Sequence, residues 1–246
     1  MNFIELFNKK SLIVAHRGAS SVAPENTLLA MKKSVGECDF IEIDVQLSSD
    51  GVAVVMHDET LIRTTNIVQL DMYKNRYPYM VSEFTLDELN SLDYGHGEAL
   101  LTLRGALIFI KENSLYLNVE IKDAKKYFTN EKIVLTVLNE IQKLGVESQI
   151  LISSFKGEYL KIIKNLSPNI PTAFLADDKH HSNLIEYLND LDVDAYHINK
   201  KLLNKELIDK LNTEGILVGV YVVSEEQEQK RFFEMGVYAV FSDLVI

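Results

Sequence analysis

The chain has 246 residues, 47% hydrophobic and 25% charged, enough to bury a sizeable core as one large α/β domain or two small ones. Its formal charge of −11 argues against a general binder of nucleic acid or of anionic membranes, since those need a basic face. The single cysteine, Cys38, excludes an internal disulfide and a cysteine-based zinc site; no apolar run approaches the ~20 residues of a membrane span and no leader is evident in residues 1–10, so a cytoplasmic protein is expected.

Residues 11–15 read as a first strand that ends at His16-Arg17-Gly18, and Pro24-Glu25-Asn26-Thr27 opens a helix to about residue 35. In the second strand, 40–45, apolar and acidic residues alternate. Glu42 and Asp44 therefore project from one face, roughly 6–7 Å apart. Two carboxylates that close repel unless positive charge lies between them, and a hard divalent cation such as Mg²⁺ or Ca²⁺ suits oxygen ligands. Asp50-Gly51, between this strand and the run 52–56, signals a hairpin. With a two-residue loop Ser49 faces Val52, and counting back places His57 opposite Asp44. A one-residue bulge would re-aim that histidine.

Residues 59–113 are less regular, with a Gly95-His96-Gly97 turn and Thr85 followed by Glu88, which together form a capping-box signature for a short helix. Beyond Leu115 the alternation is regular: strands at 116–121, 149–153, 172–175, 195–198, 217–222 and 239–241. Helices are expected between them at 131–144, 157–166, 183–191, 205–213 and 225–234, with Gly145, Gly215 and Gly236 as left-handed C-caps. Leaving out the hairpin arm, the parallel strands number eight. That pattern predicts a TIM (β/α)8 barrel over residues 1–246, with an insertion at about 59–113 after the second barrel strand; an open doubly wound sheet is the competing arrangement.

TIM-barrel active sites sit at the C-terminal ends of the strands. His16 and Arg17 end the first strand, Glu42 and Asp44 the second, and Glu120 and Lys122 share one face at the end of the third. Acids, histidines and cations thus converge on one mouth, a set suited to metal-assisted phosphodiester cleavage. Phe155, after Ser153-Ser154, is a candidate apolar wall, and Asp243 could orient a neighbour. His197 either lines the mouth or is structural, and His180-His181 belongs to the surface.

Together these residues resemble the glycerophosphodiester phosphodiesterase family. The resemblance is carried by His16-Arg17-Gly18-Ala19-Ser20, Pro24-Glu25-Asn26-Thr27, Glu42-Ile43-Asp44-Val45-Gln46-Leu47 and Asp50-Gly51. It continues through His57-Asp58, Leu61, Arg63-Thr64-Thr65-Asn66, Asn118-Val119-Glu120-Ile121-Lys122 and Ser153-Ser154-Phe155. It implies a TIM barrel and one divalent ion, Mg²⁺ or Ca²⁺, on Glu42, Asp44 and Glu120. It also implies His16 and His57 as the acid–base pair, with Arg17 and Lys122 on the phosphate. The implied reaction is hydrolysis of a small glycerophosphodiester to sn-glycerol 3-phosphate and an alcohol. Two segments depart from the family pattern and bear on substrate choice. Val220-Tyr221-Val222-Val223-Ser224 stands where a Trp and an Asn are frequent, making Tyr221 a second candidate wall, and Ser242-Asp243-Leu244 lacks the usual Thr-Asp and nearby Pro. The alternatives are lysophospholipase D-like hydrolysis of lysophospholipids and a catalytically silent phosphodiester binder.

Overall fold

Alternating apolar residues in short runs, each followed by an amphipathic segment, build a closed wheel of strands in the computed structural model, which describes residues 2–124 and 126–244. A short helix, α1 (Phe3–Leu6), precedes β1 (Leu12–Ala15) and α2 (Leu28–Lys33). Next come β2 (Phe40–Leu47) and β3 (Ala53–Val55), then the insertion with α3 (Leu86–Asn90), and α4 (Leu103–Asn113). The regular half is β4 (Leu117–Ile121), α5 (Asn130–Leu144), β5 (Ile150–Ser154), α6 (Gly157–Leu166), β6 (Thr172–Ala176) and α7 (Leu184–Leu191). It ends with β7 (Ala195–Asn199), α8 (Lys205–Thr213), β8 (Leu217–Tyr221), α9 (Glu226–Glu234) and β9 (Ala239–Ser242). Because β1 pairs in parallel with both β2 and β9, the eight parallel strands close into a TIM barrel and the open-sheet alternative is excluded.

Period-two alternation divides the strand residues between two cores. Leu12, Val14, Phe40, Leu151, Ala173, Ala195, Ala239 and Phe241 pack together in one cluster with Phe3 of α1. The alternate set, including Ile41, Ile43, Val119, Ile152, Val218 and Val240, packs with apolar residues of the helical layer. Glu42 and Asp44 fall in the first parity, beside Phe40, and the parallel register sets Asp44 against Glu120 and Glu120 against Ser153. Strand period and register together bring the carboxylates to one level of the barrel.

Three expectations are corrected. The hairpin register is one residue off: Val45 pairs with Val55, and Met56 N–H donates to the Asp44 carbonyl at 2.9 Å, so Met56 and not His57 lies opposite Asp44. Ser48 is the cause. Its N–H donates to the Val52 carbonyl, and its buried hydroxyl accepts from Val52 N–H and donates to Asp50, so Ser49, Asp50 and Gly51 form a three-residue loop with Gly51 at φ +80°. His57 lies past the end of β3, where Gln46 Nε2 approaches the carbonyls of Met56, His57 and Asp58 at 3.0, 3.3 and 2.6 Å.

The first helix also starts later than expected. Asn26 takes φ +59°, and Thr27 is the N-cap, its hydroxyl accepting from Ala30 N–H, so Pro24 to Asn26 stay outside the helix. Finally, the irregular region keeps its own core of Leu61, Ile67, Tyr73, Phe84 and Leu89, and α3 has the expected capping box between Thr85 and Glu88. Its last part differs: α4 buries Leu103, Ala106, Leu107 and Ile110 in the same core as the barrel helices. The amphipathic segment 103–113, capped by Thr102, therefore belongs to the barrel and not to the irregular insertion.

Candidate active site

The βα loop after β1 sets the geometry. Arg17 has φ +58° and Gly18 φ +77°, a left-handed pair that folds the loop back onto β2. A Cβ at Gly18 would lie 2.7 Å from the Ala30 carbonyl carbon, so glycine is required there by space as well as by conformation. The turn directs the Arg17 backbone N–H to Glu42 Oε2 at 2.9 Å. The Arg17 side chain reaches Glu25 at 2.8 Å and Asp44 at 3.4 Å. Asn26 locks Asp44 in place: its Nδ2 donates to Asp44 Oδ2 at 2.8 Å and its Oδ1 accepts from Asp44 N–H at 3.2 Å.

Glu42, Asp44 and Glu120 each present a carboxylate oxygen within 4.8 Å of the others. Glu42 is 2% exposed and Asp44 1%. Burial, with Asp44 and Glu120 adding their charge, pushes the Glu42 carboxyl well above the usual range, and burial beside Asp44 raises Glu120. Burial opposes ionisation of Asp44 too, but Lys122, Arg17 and His57 nearby hold its carboxyl down at about 2. Lys122 Nζ stands 3.1 Å from Asp44 and 2.6 Å from Glu120; despite burial, those two anions hold its ammonium above the ordinary lysine range.

Both histidines of the mouth carry an orienting carboxylate. His16 Nδ1 lies 2.7 Å from Asp243, which also accepts from Ser20 Oγ at 3.1 Å. His57 Nδ1 lies 2.7 Å from Asp58. An ionised carboxylate only accepts, so each Nδ1 carries the proton and each Nε2 is the basic nitrogen. Burial pushes His57 below the ordinary imidazole range, with Lys122 and Arg17 adding to it against the pull of Asp44 and Asp58.

His16, Arg17, Glu42, His57, Glu120 and Lys122 line one cavity of about 300 Å³. Phe155 and Tyr221 form part of its wall, with the Tyr221 hydroxyl donating to the Ala176 carbonyl at 2.8 Å. Ser153 is buried in the lining and Asp177 stands at the rim with Asn199 donating to it at 2.7 Å. His197 is not at the mouth: it is fully buried, its Nε2 lies 2.6 Å from the Tyr238 hydroxyl, and burial pushes its imidazole down to about 3. His180 bonds Tyr196 and the Leu202 carbonyl, and His181 stacks on Tyr187, both away from the cavity.

Sequence reasoning missed Glu25, Asn26, Gln46 and Arg63 as members of the site. Asn26 carried a local signal, its place two residues after a proline in a residue type that tolerates positive φ; Glu25, Gln46 and Arg63 stood only among the residues that carry the family resemblance.

The carboxylate triad fits a hard divalent cation. All its donors are oxygens, and Glu42 Oε1 is buried without a hydrogen-bond partner among the described residues. A TIM barrel carrying such a triad, two His–Asp pairs and two cations at its C-terminal mouth has the groups that phosphoryl-transfer chemistry uses. The chain belongs to the glycerophosphoryl diester phosphodiesterase family, whose sequence profile matches residues 16–246. It is 30% identical to a glycerophosphodiester phosphodiesterase of Caldanaerobacter subterraneus over 95% of this chain and 94% of the relative. A Bacillus subtilis glycerophosphodiester phosphodiesterase is also 30% identical, over 94% of this chain and 83% of that one. Among solved structures, an Oleispira antarctica phosphodiesterase in complex with its product sn-glycerol-3-phosphate superposes with a TM-score of 0.87 at 27% identity, covering 98% of this chain and 96% of that one. Among the described residues no helix is long and apolar enough to cross a membrane.

Proposed function

We propose that the protein hydrolyses glycerophosphodiesters to sn-glycerol 3-phosphate and an alcohol in the cytoplasm, with His16 and His57 as the acid–base pair. The observation that carries this reading is the convergence on one cavity of about 300 Å³ of two Nδ1-anchored histidines, two cations, and Glu42 and Glu120 of the carboxylate triad. Relatives at 30% identity over nearly the whole chain support the substrate class.

In this mechanism Arg17 and Lys122 bind the phosphate oxygens and share the charge that grows on them as the phosphorus adds its fifth oxygen. Glu42, Asp44 and Glu120 would hold a divalent ion, Mg²⁺ or Ca²⁺, which would supply Lewis-acid polarisation of the phosphoryl group. Neutral His57, with its depressed pKa, accepts at Nε2 the proton of the attacking hydroxyl, either water or the glycerol 2-hydroxyl, and in the second case water then opens the cyclic phosphate so formed. His16, entering the cycle as its imidazolium with Nδ1 on Asp243, donates its Nε2 proton to the departing alkoxide as the P–O bond breaks. Asp58 and Asp243 hold the rings and stabilise the imidazolium forms. Phe155 and Tyr221 give the organic part of the substrate an apolar wall.

The test is a panel of glycerophosphocholine, glycerophosphoethanolamine, glycerophosphoglycerol and lysophosphatidylcholine at varied Mg²⁺ and Ca²⁺. EDTA should abolish turnover and either ion should restore it, while His16→Ala and His57→Ala should each lower kcat by about 10²–10⁴-fold. Turnover indifferent to chelation sinks the metal assignment; hydrolysis of lysophosphatidylcholine alone sinks the substrate class.

A further inference from the structure

We propose that Arg63, contributed by the insertion, is a positioning residue that ties His57 and Arg17 into one chain of alternating charge, an assignment that rests on the phosphodiesterase reading of the site. Its guanidinium makes four hydrogen bonds to two carboxylates. Nε and Nη2 donate to Asp58 at 2.7 and 2.8 Å, and Nη1 and Nη2 donate to Glu25 at 2.5 and 2.7 Å. Each carboxylate then holds a different residue of the mouth. Asp58 Oδ1 is 2.7 Å from His57 Nδ1, and Glu25 Oε1 accepts from Arg17 Nη1 at 2.8 Å. The chain of contacts runs on from Arg17 Nε to Asp44 at 3.4 Å.

Arg63 and Arg17 alternate with Asp58 and Glu25 along this chain, so each carboxylate faces a cation. A lone ion pair on the surface contributes little, and the Arg63 side chain is 47% exposed. Paired planar bonds to two carboxylates within a network are the case in which geometry is nonetheless enforced. Without the guanidinium, Glu25 and Asp58 lose the cation they share. Asp58 is then free to turn to water and leave His57 Nδ1, and Glu25 holds Arg17 with no second anchor. His57 and Arg17 should lose their aim together, one affecting the proton transfer and the other the phosphate. His16 is the internal control, because its partner Asp243 makes no hydrogen bond to Arg63 or Glu25.

The experiment compares wild type, Arg63→Ala and Arg63→Lys with glycerophosphocholine as substrate, with melting curves and histidine ¹⁵N NMR of each protein. Arg63→Ala should lose about 10–100-fold in kcat, the scale for residues that orient a reacting group. It should also raise KM and change the His57 ring signals while leaving those of His16 in place. Guanidinium ion at low millimolar concentration should restore part of the lost kcat. Arg63→Lys should stay impaired, since one ammonium cannot make four bonds in a plane. Wild-type kcat in Arg63→Ala overturns the proposal, as does a loss of activity with unchanged His57 signals and a lowered melting temperature, which marks a merely structural anchor. If wild type turns over no substrate in the panel, the reading of the function fails, while the NMR comparison still decides whether Arg63 orients His57.

Discussion

Replacing Lys122 with methionine should unbalance the carboxylate cluster in a way that stability measurements can read. Lys122 Nζ lies 3.1 Å from Asp44 and 2.6 Å from Glu120, and Asp44 is 1% exposed. Methionine keeps an unbranched apolar stem of similar length, so the change removes mainly charge. Removing one partner of a buried ion pair costs about 3–5 kcal/mol. The position of the Asp44 carboxyl, about 2 against an ordinary 3.8, corresponds to about 2–3 kcal/mol at neutral pH. That net figure already includes the opposing effect of burial, so loss of Lys122 should exceed it and approach the larger range. For a chain of this size the melting temperature should fall by about 6–20 °C.

The sign with pH is equally specific. In wild type the Asp44 carboxyl lies below its unfolded value, so its contribution is complete above pH 3.8 and fades as pH falls through 2. In Lys122→Met burial dominates and raises the carboxyl, so acidification from neutrality toward pH 4 should stabilise the variant. The assay is urea unfolding followed by far-ultraviolet circular dichroism, in EDTA and again with excess Mg²⁺ or Ca²⁺. The divalent ion should recover part of the loss by replacing the missing charge. Wild-type stability of Lys122→Met in EDTA, with an unaltered pH profile, would refute charge compensation by this lysine.

Asp243→Asn should lower kcat by about 10²–10⁴-fold with little change in melting temperature, because an amide no longer fixes the His16 tautomer; near-native kcat would remove Asp243 from the mechanism. Gly18→Ala and Gly51→Ala separate conformation from space. Both glycines have positive φ, but a Cβ at Gly51 meets no atom closer than 3.5 Å, so that variant should lose only about 1–2 kcal/mol. At Gly18 the same strain is joined by contact with Ala30 at 2.7 Å, which should add about 1–3 kcal/mol of overpacking. Equal losses from urea titrations of the two variants would contradict the steric account.

Strand periodicity by itself determined much of this protein. Glu42 with Asp44, and Glu120 with Lys122, share a face because residues two apart in a strand always do. Eight βα repeats then suffice to send those faces toward one mouth, and the relation between chain order and barrel order follows from short right-handed crossovers. Other features depend on contacts between residues far apart in sequence and were decided only in the folded chain. The hairpin register turned on Ser48 satisfying its own loop, a choice between two loops that Asp50-Gly51 fits equally well. Asn26 left the helix because its amide pairs with Asp44, eighteen residues on. His16 met its orienting carboxylate, Asp243, only when the barrel closed β9 against β1. Arg63 reached Glu25 across 38 positions once the insertion had folded on its own core. The sequence specified which chemical groups stand at the mouth, because alternation is local; tertiary structure decided which carboxylate holds which histidine or arginine, because hydrogen-bond partners are chosen by proximity in space.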